Sequence, residues 1–264
     1  GATGLLGSQL NYLIDKKNYK VFGVGFSKKT CDYNFDVNNL LKTTKVIKKI
    51  KPDVVINCIA YTDVDKCNIE IKTAFEKNIF SVYNIVNSLI KINKKIHLVH
   101  ISTDQVYNDQ KSKNVETNFN LLNNYGLTKF IGEKQIKNYK YSTIIRTNFF
   151  CNSLRGKKLS YSDWIKKNLI KKKVIKIPNN VYFNPIHVKF LNSIIQIIIQ
   201  KKVYGTYNVG SKNGTSKYKF AKLLAKKFKF RSNNIKSFKN VEEIHLKPQG
   251  TIMCTSKIQK KLRI

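Results

Sequence analysis

The chain has 264 residues, 42% of them hydrophobic, which is enough to bury a sizeable core as one large domain or one domain with a smaller companion. Its five cysteines are widely spaced, odd in number and without a CxxC pair, which argues against a disulfide scaffold and suits a reducing cytoplasm. A net charge of +35 ordinarily points to nucleic acid or an anionic membrane. Here the lysines are spread over every segment, as codon drift toward Lys, Asn and Ile spreads them, and no apolar run reaches the ~18 residues of a membrane span.

The chain opens with Gly1-Ala2-Thr3-Gly4-Leu5-Leu6-Gly7, a GxxGxxG run followed by a helical apolar stripe of Leu6, Leu10, Leu13 and Ile14. Glycines at such a turn let the backbone approach a pyrophosphate, which then sits on the positive end of the helix. The motif needs a hydrophobic strand before it, so the expectation is a fragment whose first, central strand is missing. Val21 to Val24 reads as the next strand, followed by Ser27, Lys28 and Lys29 where an acid would bind a ribose. These cations favour a 2′-phosphate. Phe35-Asp36-Val37 closes a further strand, with Asp36 either near an adenine or starting the helix over Leu40 to Ile50.

Val54 to Cys58 is a continuous apolar strand of the kind buried in parallel sheets, and it ends at Ala60-Tyr61-Thr62. A helical pattern spans Ile69 to Ile92. A strand over Ile96 to Ile101 then ends in Ser102-Thr103-Asp104, where open α/β sheets place their ligands. The alternation of strands and helices is that of an α/β dinucleotide fold.

Tyr125 and Lys129 lie four residues apart after Asn123-Asn124, on one face of a predicted helix. A cation about 4 Å from a phenol favours its anion by roughly 4 kcal/mol at an effective dielectric of ~20. The spacing alone is uninformative, because the chain holds four such pairs and chance gives about two. Context selects Tyr125: it follows Thr103 by 22 residues, begins a helix and precedes a strand at Ser142 to Arg146. Tyr12, Tyr107 and Tyr218 lack that setting. The last belongs to an amphipathic helix whose buried side is read as Phe220, Leu223, Leu224 and Phe228. The four histidines, at 97, 100, 187 and 245, are scattered and predict no metal site.

Together, the GATGLLG run, AYTDVDK with Asn78, HISTDQVY, NNYGLTKFIGE and IIRT resemble the extended short-chain dehydrogenase/reductase superfamily. Within it, the chain is most similar to the dTDP-4-dehydrorhamnose reductase family. Phe183 to His187, Gly205 to Gly210 and Thr215 to Ala221 extend the resemblance into the second half. Departures stand at Gln105, Tyr107, Asn108-Asp109 and Lys247.

The resemblance implies a Rossmann-type doubly wound parallel sheet with a smaller C-terminal α+β substrate-binding part. Residues 1–150 would form the NAD(P)-binding domain, and residues 151–264 a mainly substrate-binding region interleaved with it. It implies reduction of a nucleotide-linked 4-keto-6-deoxysugar by NADPH or NADH, with Tyr125 as proton donor, Lys129 lowering its pKa and binding the nicotinamide ribose, and Thr103 bonding the carbonyl oxygen. Gly1, Gly4, Leu5, Leu6 and Gly7 would receive the pyrophosphate; Asp36 and Val37 would lie at the adenine; Ala60, Tyr61 and Thr62 would flank the cofactor. The expected partner is a nucleotide sugar, with a homodimer left open and neither nucleic acid nor membrane expected. Two other readings stay open: a non-catalytic NADP-binding regulatory subunit resembling that of methionine adenosyltransferase, and a nucleotide-sugar epimerase or dehydratase.

Overall fold

The computed structural model describes residues 1–26, 31–109, 113–154, 159–240 and 247–264. The expectation that Ser27, Lys28 and Lys29 select the coenzyme lies outside the described residues. In chain order the first half comprises α1 (Leu5–Leu13), β1 (Val24–Gly25), β2 (Tyr33–Asn34), α2 (Leu40–Ile50), β3 (Val54–Asn57), α3 (Val64–Ile69) and α4 (Ile71–Phe75). A π-helical turn (Glu76–Phe80) leads into α5 (Ser81–Ile92), then β4 (His97–Thr103), α6 (Asn124–Gln135) and β5 (Ser142–Phe150). The second half adds α7 (Tyr161–Ile170), β6 (Ile175–Pro178), β7 (Tyr182–Phe183), β8 (Pro185–His187), α8 (Val188–Gln200), β9 (Gly205–Val209), β10 (Thr215–Ser216), α9 (Lys217–Lys227), β11 (Ile235–Phe238) and α10 (Ser256–Leu262).

The main sheet is parallel, in the order β3-β4-β5-β8, with β9 on the first part of β5 and β8 on its last three residues. All seven residues of β4 are buried, because helices cover both faces of the sheet. Alternation along the strands divides the core. Val99, Ile101 and Ile145 face α1 and α8, meeting Leu6, Leu10, Leu191 and Ile195. Leu98 and Ile144 face α2 and α5, meeting Ile47, Val82 and Leu89. A third apolar cluster joins α7, β6, α9 and β11 in the second half. No described helix is long and apolar enough to cross a membrane.

The doubly wound sheet is divided. β1 and β2 pair in parallel as a separate two-stranded sheet, and the predicted strands Val21 to Val24 and Phe35 to Val37 shrink to those short segments. Between them and β3 lies a cavity of about 260 Å³, lined by Val24, Val54, Ile56, Leu10 and Ile47 among others. The Gly1 and Ala2 nitrogens both donate to Val24 O, at 3.0 and 3.1 Å, tying the chain start to the smaller sheet.

Two local readings are corrected. The predicted helix over Ile69 to Ile92 runs from Ile71 to Ile92 with the π turn inside it, and a break at Glu70 separates it from α3, which Asp63 caps. In α9 the buried residues are Phe220, Ala221 and Ala225, with Leu224 packed beside them. Leu223 is 54% exposed because it lies off that stripe, and Phe228, 40% exposed, stands beyond the last helical residue, Lys227.

Candidate active site

The glycine turn lies at the carboxyl edge of the sheet. A Cβ on Gly1 would come within 2.6–2.8 Å of the Cys58 and Ile59 backbone, just past the end of β3. A Cβ on Gly7 would overlap Gly1 O, so both positions require glycine for close approach. Gly4 N–H donates to Gly1 O at 3.0 Å, and Gly4 caps α1 without a side chain. The N–H groups of Leu5 and Leu6 thus stand at a helix start, where no carbonyl of the same helix can reach them and an anion can. Leu6 turns its side chain into the core and Leu5 packs against that core.

After β3, Ala60 is half-buried, Tyr61 half-buried and Thr62 exposed. Asn78 clamps this loop. Its Oδ1 accepts Tyr61 N–H at 2.8 Å, and its Nδ2 donates to Tyr61 O at 3.1 Å and to Thr128 Oγ1 at 3.0 Å. Asn78 is wholly buried on the π turn, a helical irregularity that often marks a functional position. The Tyr61 hydroxyl donates to Glu70 Oε2 at 2.7 Å, and that bond pushes its pKa up to about 12.

Asp36 and Val37 sit below β2. The Asp36 carboxylate accepts Asn38 N–H at 2.9 Å and faces Lys77 Nζ at 3.6 Å. It does not cap α2; Asn39 does, accepting Lys42 N–H at 2.9 Å. Val37 is buried in the α2–α5 core, and its carbonyl accepts Thr43 Oγ1 and Asn84 Nδ2. The Val37 side chain is therefore part of the packing.

β4 delivers Thr103 to the same edge as Gly1, because β3 and β4 run in parallel with Asn57 opposite His100. α6 begins where Asn123 accepts Gly126 N–H at 2.7 Å, and its first turn sets Tyr125 beside Thr103 at the end of β4. A Cβ on Gly126 would overlap Gln105 O and one on Gly132 would overlap Asn78 O, so α6 rests directly on two backbone carbonyls.

Lys129 is 1% exposed, and its ammonium points to the sheet. Nζ donates to Ile101 O at 2.8 Å and lies 3.3 Å from His100 Nε2, while His100 Nδ1 meets Asn57 Nδ2 at 3.1 Å. The expectation that Lys129 lowers the Tyr125 pKa is not met in this arrangement. Burial raises the phenol above its ordinary value, the Thr103 bond opposes that, and the Asp104 charge raises it further. Lys129 itself is lowered from 10.5 to about 8 by burial, against the pull of Glu133.

Beneath the pair, Arg146 holds Glu133 at 2.6 Å in a buried pair joining α6 to β5. Arg146 also donates to Tyr107 Oη at 2.7 Å and Glu116 O at 2.8 Å. Asp104 receives Asn148 Nδ2 and Thr251 Oγ1. Sequence reading overlooked His100, Asn57, Glu133, Asn148 and Thr251; a buried position for Arg146 in the strand motif IIRT was the available signal that an acid must lie nearby. Among the described residues, no group of three His, Cys, Asp or Glu side chains could hold a metal ion.

The family model described as RmlD substrate binding domain matches residues 1–264. The dTDP-4-dehydrorhamnose reductase of Aggregatibacter actinomycetemcomitans is 34% identical over 153 residues, covering 56% of this chain and 49% of that protein, so the match spans about half of that relative. Rattus norvegicus methionine adenosyltransferase 2 subunit beta is 24% identical over 247 residues, covering 89% of this chain and 73% of that protein. Among solved structures, Bacillus anthracis dTDP-4-dehydrorhamnose reductase in complex with NADP superimposes with a TM-score of 0.86 at 24% identity, covering 99% of this chain and 90% of that one.

Proposed function

The chain belongs to the RmlD substrate binding domain family, and from that premise we propose that it reduces the 4-keto group of a nucleotide-linked 6-deoxysugar with NADPH. The observation that carries the reading is that Thr103 and Tyr125 come together at the carboxyl edge of the sheet, with Lys129 buried behind them and the glycine turn on the same edge. The turn suits the coenzyme: close backbone approach at Gly1 and Gly7 and the helix-start N–H groups of Leu5 and Leu6 form a cradle for a pyrophosphate. When bound, the coenzyme supplies the hydride.

The chain supplies the proton and the orientation. Tyr125 gives its hydroxyl proton to the developing alkoxide oxygen, and its raised pKa keeps that proton in place at neutral pH. Thr103, beside the phenol, would bond the same oxygen and help orient it. Lys129 provides a buried positive charge near the site, and Asn78 holds the backbone of Tyr61 in the loop after β3, at the same edge of the sheet.

The test is NADPH oxidation with several nucleotide-linked 4-keto sugars, using wild-type protein and Tyr125→Phe. The variant should lose turnover while binding coenzyme normally, and substantial residual turnover would sink the assignment. The match to a methionine adenosyltransferase subunit supports a second reading, a regulatory partner. Co-purification with a synthetase, without any sugar reduction, would favour it.

A further inference from the structure

Lys217 opens α9 in the second half of the chain, and backbone pairing carries it to the edge of the candidate site. Its N–H donates to Val181 O at 2.9 Å, and the preceding Ser216 pairs with Tyr182 across β10 and β7. Tyr182 O accepts Thr251 N–H at 3.1 Å, and the Thr251 hydroxyl donates to Asp104 Oδ2 at 2.8 Å. Asp104 follows Thr103 directly, so Lys217 stands two paired segments away from the end of β4.

The Lys217 side chain is half-buried, with Nζ 5.9 Å from the centre of the Tyr161 ring. Among the described residues this ammonium makes no hydrogen bond and no ion pair. Asp104 does not take it: one carboxylate oxygen accepts Asn148 Nδ2 and Thr251 Oγ1, and the other faces the Thr103 hydroxyl at 3.3 Å. Lys247, four residues before Thr251, is already held by Asp65 at 2.8 Å. A cation drawn out of water without an acceptor is costly, and a cation–π contact close to the ~6 Å limit offsets little of that. Burial lowers the Lys217 pKa; the Asp104 charge opposes the shift and the Lys247 charge adds to it.

We propose that Lys217 is a specificity-determining residue whose ammonium binds the diphosphate joining the substrate's sugar to its nucleotide. The inference rests on the reductase reading given above. The glycine turn lies past the end of β3, on one side of β4, whereas Asn148 comes from β5 on the other. A sugar held at Thr103 and Tyr125, with the coenzyme on the β3 side, directs its linking phosphates toward β5 and the second half, where Lys217 stands. An ammonium has three donors and no acceptor, which suits phosphate oxygens. The contact is made away from the reacting carbon, so it contributes to binding more than to the chemical step.

The chain carries its own probe, because its one tryptophan, Trp164, stacks on Tyr161 with ring centres 6.1 Å apart. Trp164 fluorescence is followed while inorganic pyrophosphate, UDP and dTDP are titrated into the full chain, with NADP+ present to occupy the glycine turn. Lys217→Met should weaken binding of all three about 10-fold or more, the scale of one charge-assisted hydrogen bond, and Lys217→Arg should retain most of it. Lys219→Met removes the same charge from an exposed position of α9 and should leave binding as in the wild type. Equal losses in the two Met variants would reduce the effect to the general field of a +35 chain and overturn the assignment. Wild-type affinity in Lys217→Met would overturn it as well. In turnover, Lys217→Met should raise KM for the nucleotide sugar about 10-fold and change kcat far less; a fall in kcat at constant KM would contradict a binding role. Should the wild type reduce no nucleotide sugar, the reductase reading fails, and the titration still decides the anion site.

Discussion

Glu133→Leu removes one half of a charge pair that is buried on both sides, with side-chain exposures of 3% for Arg146 and 4% for Glu133. The carboxylate is held by three bonds from Arg146, at 3.0, 3.2 and 2.6 Å, and by the Ser102 hydroxyl. Its loss leaves a guanidinium in the core with only Tyr107 Oη and Glu116 O as acceptors. Stranding one ion of such a pair costs about 3–5 kcal/mol. That is a large fraction of the ~5–15 kcal/mol available to an ordinary fold. At this chain length it lowers the melting temperature by roughly 10 °C. The assay is urea unfolding of wild type, Glu133→Leu, Arg146→Met and the double variant. In the double variant the uncompensated charge is gone, and Tyr107 Oη still donates to Asn208 Oδ1 at 2.8 Å. It should therefore be more stable than Glu133→Leu alone. A single variant within about 0.5 kcal/mol of wild type, the range of a surface substitution, would refute the reasoning, as would additive costs in the double variant.

Lys129→Met should abolish turnover yet stabilise the protein at neutral pH, because a fold that lowers this group from 10.5 to about 8 pays about 3 kcal/mol for its charge. The unfolded chain binds the extra proton between those values, so wild-type stability should rise as pH climbs from 8 to 10.5, and urea midpoints of Lys129→Met should lack that rise. His97, lowered from 6.5 to about 4 by burial, acts at the acid end. Below pH 6.5 the unfolded chain takes up a proton that the folded chain refuses, so stability falls as pH drops toward 4, by about 3 kcal/mol. His97→Gln, which can keep the bond to Thr143 Oγ1, should flatten that part of the acid limb in urea titrations. Gly132→Ala should push α6 off the Asn78 carbonyl, lowering kcat about 100-fold through displaced Tyr125. An unchanged kcat would show that the contact is slack.

Local chemistry made much of this legible. The apolar run Val54 to Asn57 is a strand because helices cover both faces, and Asn123 starts α6 because its short amide side chain bonds the third N–H of the helix. The order of elements alone set Tyr125 apart from the other three tyrosines, and in the structure it lies beside Thr103. What stayed hidden depends on partners far away in sequence. Asp104 bonds Thr251 across 147 positions, and Tyr107 bonds Asn208 across 101. Periodicity carries no record of such pairs. The four-residue spacing of Tyr125 and Lys129 fixed a shared face but not a direction for the ammonium, which follows the nearest buried carbonyl, Ile101 O. The α9 face was misread because the buried stripe around Phe220 is completed by two small residues, Ala221 and Ala225, while Leu223 lies off it and Phe228 past the helix end.

α6 explains why the site can be both buried and well aligned. Its buried residues are Gly126, Thr128, Lys129, Gly132 and Glu133, none of them a large hydrophobe. An amphipathic helix resting on leucines can slide or rotate a little at modest cost, since dispersion contacts are individually weak and non-directional. This one cannot. Two glycines set its distance from Gln105 O and Asn78 O, Thr128 is tied to Asn78, and Glu133 is locked to Arg146 on β5. Each contact has a required angle as well as a distance, so together they fix the helix in translation and rotation. Tyr125 and Lys129 inherit that placement through the backbone. The stability that a greasy helix face would have contributed is exchanged for a phenol held beside Thr103, the arrangement that the proposed proton transfer requires.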